Sequence, residues 1–158
     1  MTQTKEVKVM RGISGSGKST LAKKLAQEAH FRGELPLICS ADDHFIGPDG
    51  VYRFDVSVLD LAHRACIRKF LQALQDGMSP VIVDNTNINL EDLAPYVAVG
   101  QSLGYTVDIL QVDTPLEIAR GRNVHGASDA VVESMYKRMQ HVKLPNRFKI
   151  THINPEQE

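Results

Sequence analysis

A lysine and three serines lie among glycines near the start of the chain. Residues 12–19 read GISGSGKS and match the pattern G-x-x-x-x-G-K-[ST]. Glycines let the backbone curl with its N–H groups facing inward, and such a concave loop binds phosphate oxygens. Lys18 would place its charge at the β- and γ-phosphates, and the Ser19 hydroxyl would face Mg²⁺.

The loop therefore predicts a site for a nucleoside triphosphate, ATP being the expected nucleotide, together with Mg²⁺. A glycine turn with a chance lysine is the alternative, and the predicted strand before the loop and helix after it argue against that alternative. The residues expected to contact the nucleotide are Gly12, Ser14, Gly15, Ser16, Gly17, Lys18, Ser19 and Thr20.

Carboxylates follow two further predicted strands. Asp84 ends the apolar run 81–83 in the manner of a Walker B acid, and we expect it to hold Mg²⁺ or a magnesium-bound water. Asp42 and Asp43 are adjacent, and neighbouring side chains of an extended chain point in opposite directions. One of the two is expected to face the phosphate site and accept the proton of an attacking hydroxyl. The alternative for this pair is a helix or turn cap.

Two arginines, Arg120 and Arg122, follow the fourth predicted strand and precede Asn123 and Gly126. Arginines on a hinge at this position would close over the triphosphate and spread the charge of its β- and γ-phosphate oxygens. A solvated helix face is the alternative. Asp113, at the end of the same strand, is interpreted as support for the cap of the next helix.

Apolar periodicity alternates between short strands and longer helices along the whole chain. Predicted strands cover 7–13, 35–40, 80–83, 106–112 and 148–153. Predicted helices cover 18–31, 56–75 and 89–102, the last capped by Asn89. A further helix is predicted from a capping box at 114–117 with Pro115 at its first helical position, and the final helix is predicted to follow Ser128, with Val131, Met135, Met139 and Val142 on its apolar face.

This alternation predicts an α/β fold in which a parallel, five-stranded sheet is sandwiched between helices. Ligands of such sheets gather beyond the carboxyl ends of the strands, which is where the phosphate loop and the carboxylates fall. A length of 158 residues suits one domain, so residues 1–158 are expected to form a single unit.

The composition excludes several classes of protein. Hydrophobic residues make up 42% and charged residues 23%, as in a soluble globular protein, and no apolar run approaches the roughly 20 residues of a membrane helix. Cys39 and Cys66 lie in apolar segments and are expected to be reduced core thiols, which favours a cytoplasmic location without a membrane partner. The net charge of −1 gives no global attraction for nucleic acid, although basic residues are concentrated in the first 39 residues and over 120–149.

Four segments together resemble the polynucleotide 5′-hydroxyl kinase group of P-loop kinases and related small kinase-like (AAA_33-type) domains of animal and phage proteins. They are RGISGSGKST (11–20), SADD (40–43), IVDNTN (82–87) and RGRNVHG (120–126). The resemblance runs from about residue 7 to residue 140, and the spacing between the segments is more specific than the phosphate loop alone. It implies a kinase-type P-loop NTPase fold.

The resemblance also implies roles for individual residues. Asp42 would be the general base, and Arg120 or Arg122 the lid arginine. The stretch 62–64 is similar to one in the animal members, which makes His63 an active-site neighbour. Further residues expected to face the acceptor are Asp43, Phe45, Arg64, Asn85, Thr86 and Asn87. The phage enzymes carry a phosphate-contacting arginine where this chain has Phe45, and we expect Phe45 to stack on a base instead.

The most favoured function is an ATP-dependent kinase that phosphorylates a hydroxyl, with a single-stranded nucleic acid or a nucleotide as acceptor. Its alternatives are a small-metabolite kinase similar to gluconate or shikimate kinases and a nucleotide-dependent switch or binding module. Switch GTPases need an Asn-Lys-x-Asp motif, and ABC-type ATPases need a Ser-Gly-Gly signature; the sequence contains neither. Arg53, Arg64 and Arg68 are candidates for a substrate groove.

Overall fold

Five parallel strands form one sheet in the order β2-β3-β1-β4-β5. The structure is a computed structural model and describes residues 4–122 and 127–155. The strands are β1 Glu6–Arg11, β2 Leu37–Cys39, β3 Val81–Asp84, β4 Thr106–Val112 and β5 Ile150–Ile153. The sequence predicted all five, and the sandwiched parallel sheet of a P-loop NTPase is confirmed.

Five helices flank the sheet in the described part of the chain. They are α1 Lys18–Phe31, α2 Leu59–Gln75, α3 Leu90–Ser102, α4 Leu116–Gly121 and α5 Asp129–His141. Short 3-10 helices span Ala41–Phe45 and Val56–Val58. None of the helices in the described ranges is long and apolar enough to cross a membrane.

Successive side chains of a strand point to opposite faces of the sheet, so the two faces contact different helices. Val7 and Val9 of β1 point to the same side as the buried side chains of α2 and α3, whereas Met10 points to the side covered by α1. Because both faces are covered, β3 is apolar at every position except Asp84, and Val7, Val9 and Met10 of β1 are all buried. The carboxyl ends of β1 to β4 are then the edge at which polar residues emerge.

Most predicted helix ends are correct. Asn89 caps α3 in a capping box with Asp92, and the Ser128 side chain accepts a hydrogen bond from the Val131 backbone N–H at the start of α5. The predicted apolar face of α5 is confirmed at Met135 and Met139, which pack in the core, and is wrong at Val131, which is 44% exposed while its neighbour Val132 is buried.

The capping box predicted at 114–117 is wrong. Pro115 is the residue before the first turn of α4, and no side chain caps that helix. The Thr114 hydroxyl instead donates to the backbone carbonyl of Ser16 at 2.6 Å. The reason is tertiary: β4 ends beside the phosphate loop, so Thr114 meets an unpaired carbonyl there before α4 begins.

The same region explains why position 15 is a glycine. Gly15 has φ +82°, and a Cβ on it would lie 2.1 Å from the backbone oxygen of Ala119 in α4. The phosphate loop and α4 therefore touch backbone to backbone, with no space for a side chain. α4 in turn packs on α5 through the buried residues Ala119 and Val132.

We predict that Gly15→Ala destabilises the protein much more than Gly104→Ala does. Gly104 is the matched control, because its φ is +84° and a Cβ there would meet nothing within 4 Å. Both variants carry the strain of an L-residue at positive φ, roughly 1–2 kcal/mol, and only Gly15→Ala adds a clash with a backbone oxygen. Chemical unfolding of both variants measures the difference, and equal losses of stability would contradict the close contact.

Candidate active site

The phosphate loop joins β1 to α1 and leaves the first turn of the helix without a side-chain cap. Gly17 is the residue before α1, with φ 94°, and no side chain accepts a hydrogen bond from the N–H groups that follow it. Those N–H groups and the positive end of the helix dipole suit an anion. Gly15 and Gly17 both adopt positive φ, which gives the loop its curl.

Lys18, Ser19 and Asp84 form the charged centre of the site. Burial lowers the pKa of Lys18, and the carboxylates of Asp84 and Asp42 act in the opposite direction. Burial raises the pKa of Asp84, while a hydrogen bond with Ser19 and the charge of Lys18 lower it in part. The charges of Lys18, Asp84 and Asp42 therefore act on one another in a half-buried site.

One oxygen of Asp84 has no partner. Its Oδ1 atom is buried and makes no hydrogen bond within the described residues. A buried, unpaired carboxylate oxygen beside a serine hydroxyl is the donor set that Mg²⁺ uses when phosphates and waters supply its other ligands. The residues therefore fit Mg²⁺ at this position.

Asp42 and Asp43 lie in the short 3-10 helix that follows β2, and their carboxylates have different partners. The Ser40 hydroxyl accepts a hydrogen bond from the Asp42 N–H at 3.2 Å. The Tyr52 hydroxyl donates to Oδ1 of Asp42 at 3.2 Å, and the Asp42 charge acts on Lys18. Asp43 is exposed and pairs with Lys69 of α2 at 3.4 Å. The two carboxylates therefore have different partners, and they lie in a helical turn rather than in an extended chain.

Two residues of the Asp-Asn-Thr-Asn segment are structural, which corrects the expectation that they face an acceptor. Asn85 is buried, and its Oδ1 accepts from the Ala41 N–H at 2.8 Å. Asn87 is buried with φ 49°, and its Nδ2 donates to the Met10 carbonyl at 2.7 Å. Both side chains satisfy backbone groups where the strands end. Thr86 is half-buried, and its carbonyl accepts from the Gly12 N–H at 3.0 Å.

The expectation that Phe45 stacks on a base is also wrong. Its side chain is only 6% exposed and belongs to the core between the 3-10 helix and α2. Its ring contacts those of Tyr52 and Phe54, with centroids 6.1 Å and 5.2 Å away. A buried ring has no free face for a ligand.

The arginines after β4 are not equivalent. Arg120 is held between helices, with Nη1 donating to Glu117 at 2.8 Å and Nη2 to Glu133 at 3.1 Å. The pair with Glu133 joins α4 to α5, whereas the pair with Glu117 lies within α4. Arg122 is exposed at the end of α4. The rest of the predicted hinge, including Asn123 and Gly126, lies outside the described residues.

The basic residues of the predicted groove lie on the surface. His63 and Arg64 are exposed on α2, and Arg64 pairs with Asp60 at 2.9 Å. Arg53 pairs with Asp49 at 2.6 Å. Two of the arginines that were candidates for a substrate groove thus pair with aspartates, and the structure gives His63 no contact with the loop.

A network anchored by Arg11 was not predicted. Arg11, 2% exposed, donates to the Ile88 carbonyl at 2.6 Å and to Gln111 Oε1 at 2.6 Å. Gln111 donates to Asp113 at 2.9 Å, and Asp113 meets His152 at 2.7 Å. Asp113 was expected to support the cap of α4. It belongs to this network instead. The sequence contained one sign of this network, which was the arginine at the end of β1.

A family model described as "AAA domain" (AAA_33) matches residues 7–142. Among curated proteins, NEDD4-binding protein 2 of Homo sapiens is 39% identical over 137 residues, which is 84% of this chain but 7% of that protein. YLP motif-containing protein 1 of Homo sapiens is 26% identical over 139 residues, 76% of this chain and 6% of that protein. The chain therefore spans less than a tenth of either relative.

Solved structures with the same fold include several kinases. The chain in a Pnkp1/Rnl/Hen1 RNA repair complex has a TM-score of 0.74 at 18% identity, covering 94% of this chain and 48% of that one. APS kinase CysC of Mycobacterium tuberculosis has a TM-score of 0.68 at 18% identity, covering 99% and 92%. A sugar kinase of Janibacter sp. has a TM-score of 0.63 at 21% identity, covering 99% and 88%. The fold is that of P-loop kinases.

We predict that Asp84→Asn raises the melting temperature of the ligand-free protein at neutral pH. The folded-state pKa of Asp84 lies above its ordinary value, so the ionised carboxylate destabilises the native state at neutral pH. The neutral amide removes that cost and leaves Asp42 to balance Lys18. A gain of about 1 kcal/mol would raise the melting temperature by roughly 2–4 °C.

The gain should shrink as the pH falls toward the ordinary aspartate pKa, because Asp84 is then protonated in both the folded and unfolded states. Asp43→Asn is the control, since that carboxylate is exposed and paired with Lys69. A lower melting temperature for Asp84→Asn at neutral pH would contradict the assignment of a strained, unpaired carboxylate.

Proposed function

This chain belongs to the AAA_33 family of AAA domains, and we propose that it is an ATP-dependent kinase that phosphorylates the 5′-hydroxyl of a polynucleotide or nucleotide. The observation that carries the proposal is Asp42, a second carboxylate beside the phosphate loop. A module that only binds nucleotide needs the loop, Ser19 and Asp84. A carboxylate held by Tyr52 and lying in the field of Lys18 adds a proton acceptor.

The nucleotide side of the site follows from the loop. The N–H groups of the loop and of the first turn of α1 would bind the β- and γ-phosphates, and Lys18 would neutralise their charge. Mg²⁺, held by Ser19 and Asp84, would supply charge stabilisation for the transferred group when bound. A triphosphate would also restore favourable interactions to a lysine whose pKa is lowered by burial.

Asp42 acts at the other end of the transfer. The acceptor hydroxyl oxygen attacks the γ-phosphorus, its proton passes to the Asp42 carboxylate, and the bond between the γ-phosphorus and the bridging oxygen breaks to release ADP. The hydrogen bond from the Tyr52 hydroxyl fixes the orientation of this carboxylate. The lid arginine is Arg120, which pairs with Glu117 and Glu133, or Arg122, exposed at the end of α4.

The choice of acceptor rests on resemblance and on fold. The four sequence segments resemble polynucleotide 5′-hydroxyl kinases, and a chain of an RNA repair complex shares the fold. A small-metabolite kinase is the second candidate, because Arg53 and Arg64 are neutralised by aspartates and the net charge is −1. Sugar kinase and APS kinase structures share the same fold.

A transfer assay from γ-labelled ATP across 5′-hydroxyl DNA, 5′-hydroxyl RNA, nucleosides and sugars tests the proposal. We expect phosphate on the 5′-hydroxyl of an oligonucleotide or nucleotide. Labelled sugar with unmodified oligonucleotide would support the metabolite kinase instead. Slow hydrolysis that no acceptor changes would indicate a nucleotide-dependent switch or binding module.

We predict that Lys18→Ala abolishes transfer and weakens ATP binding. The lysine charge stabilises both bound nucleotide and transition state, so both quantities should suffer. Lys24→Ala is the matched control, because Lys24 is an exposed lysine of the same helix. ATP titration by calorimetry and a transfer assay give the two quantities. Wild-type turnover in Lys18→Ala would refute the nucleotide site.

We predict that Asp42→Asn lowers kcat by about 10²–10⁴-fold while ATP affinity stays within a few-fold. The amide keeps the size of the side chain and can still accept from Tyr52, but it takes no proton. Asp43→Asn should be milder, since Asp43 pairs with Lys69 on the flank. Steady-state kinetics of both variants decides the matter; an inactive Asp43→Asn beside an active Asp42→Asn would reverse the assignment.

A further inference from the structure

The segment between the 3-10 helix and α2 folds into a small hairpin beside Asp42. Ile46 and Tyr52 form an antiparallel bridge, and the turn between them includes Gly50 with φ 76°. The Arg53 N–H donates to the Phe45 carbonyl at 2.8 Å, which ties the returning arm to the 3-10 helix. The hairpin therefore has a fixed position relative to Asp42, the proposed general base.

Aromatic rings connect this hairpin to the Asp42 carboxylate. Phe54 lies on the buried ring of Phe45 with centroids 5.2 Å apart, and Phe45 lies edge-on to Tyr52 at 6.1 Å. Tyr52 ends the series with its hydrogen bond to Asp42. Two ring contacts thus connect Phe54 to Tyr52, whose hydroxyl binds the proposed general base Asp42.

Phe54 is the member of this series that reaches solvent. Its side chain is 54% exposed, whereas Phe45 is 6% exposed. Single exposed apolar side chains are common and need no explanation. Phe54 differs because its ring contacts the buried ring of Phe45 at a tilt of 55° while 54% of the side chain stays exposed. A supported, open aromatic face is what a planar ring of a ligand stacks on.

The charges around the hairpin favour a ring over phosphates. Arg53, Arg64 and Lys69 each pair with an aspartate, namely Asp49, Asp60 and Asp43. A phosphate that bound any of these cations would compete with an existing ion pair. Stacking carries no such cost and tolerates any base.

We propose that Phe54 stacks on the base of the acceptor's terminal nucleotide and so presents its 5′-hydroxyl to Asp42. This inference rests on the proposed function, whose acceptor it specifies: recognition of the acceptor depends on its terminal base more than on its phosphates. The contact assigned here to Phe54 replaces the one that the sequence predicted for Phe45.

An oligonucleotide whose 5′-terminal residue is abasic tests the inference. It has the same 5′-hydroxyl and the same phosphates as the intact acceptor and lacks only the ring. With wild-type protein, we expect KM for the abasic acceptor to be about 10- to 100-fold higher than for the intact one, the usual range for a base–aromatic stack.

Phe54→Ala should raise KM for the intact acceptor by a similar factor and leave KM for the abasic acceptor unchanged. Phe54→Trp should keep the low KM for the intact acceptor, because an indole ring also stacks on a base. Phe31→Ala is the matched control: this phenylalanine is 79% exposed at the far end of α1, about 20 Å along the helix from the phosphate loop. Thermal unfolding verifies that each variant is folded.

The outcomes separate this inference from the function on which it rests. Transfer by wild-type protein with equal KM for the intact and abasic acceptors would overturn the stacking role alone. If Phe54→Ala raised KM equally for the intact and the abasic acceptor, the stacking role would also be overturned, because the effect would not depend on the nucleobase. If wild-type protein transfers phosphate to no nucleic-acid or nucleotide acceptor, the proposed function fails and this inference fails with it.

Discussion

The electrostatic balance among Lys18, Asp84 and Asp42, three half-buried charges beside the phosphate loop, is the interaction on which the rest of the site depends. Burial works against each charge, raising the pKa of Asp84 and lowering that of Lys18, and the two carboxylates offset part of the cost for the lysine. The ligand-free site is therefore short of partners, as the unpaired Oδ1 of Asp84 shows. A triphosphate with its cation would supply them.

The surrounding polar residues hold this site by satisfying backbone groups where strands end. Arg11, Asn87 and Thr114 bind carbonyls of neighbouring loops, and Asn85 binds the N–H that begins the 3-10 helix of Asp42. Four irregular loops can thus meet at one edge of the sheet without leaving buried backbone groups unpaired. The precision of the site comes from these side chains, which would touch neither nucleotide nor acceptor.

Local patterns in the sequence were enough for the strands, the helices and the phosphate loop. Periodicity and capping residues act over a few positions, which is why α1 and β4 were predicted with the ends that the structure shows. Contacts between distant segments were not predictable in this way. Thr114 was predicted to cap a helix and instead binds Ser16, a partner far away in the chain. Phe45 was predicted to be an exposed ring and is buried, because the hairpin after β2 brings Tyr52 and Phe54 back against it. No sequence motif pointed to Tyr52 or to its hydrogen bond with Asp42.

The central claim is that Lys18 and Asp42 serve the two ends of one phosphoryl transfer, and the fate of the γ-phosphate tests it most directly. Wild-type protein would be given γ-labelled ATP in a single turnover, with and without a 5′-hydroxyl oligonucleotide, and the label in oligonucleotide and in inorganic phosphate would be measured. The account predicts that most label reaches the 5′-oxygen and that little inorganic phosphate forms in either reaction. Release of labelled inorganic phosphate at a rate that the acceptor does not change would contradict it.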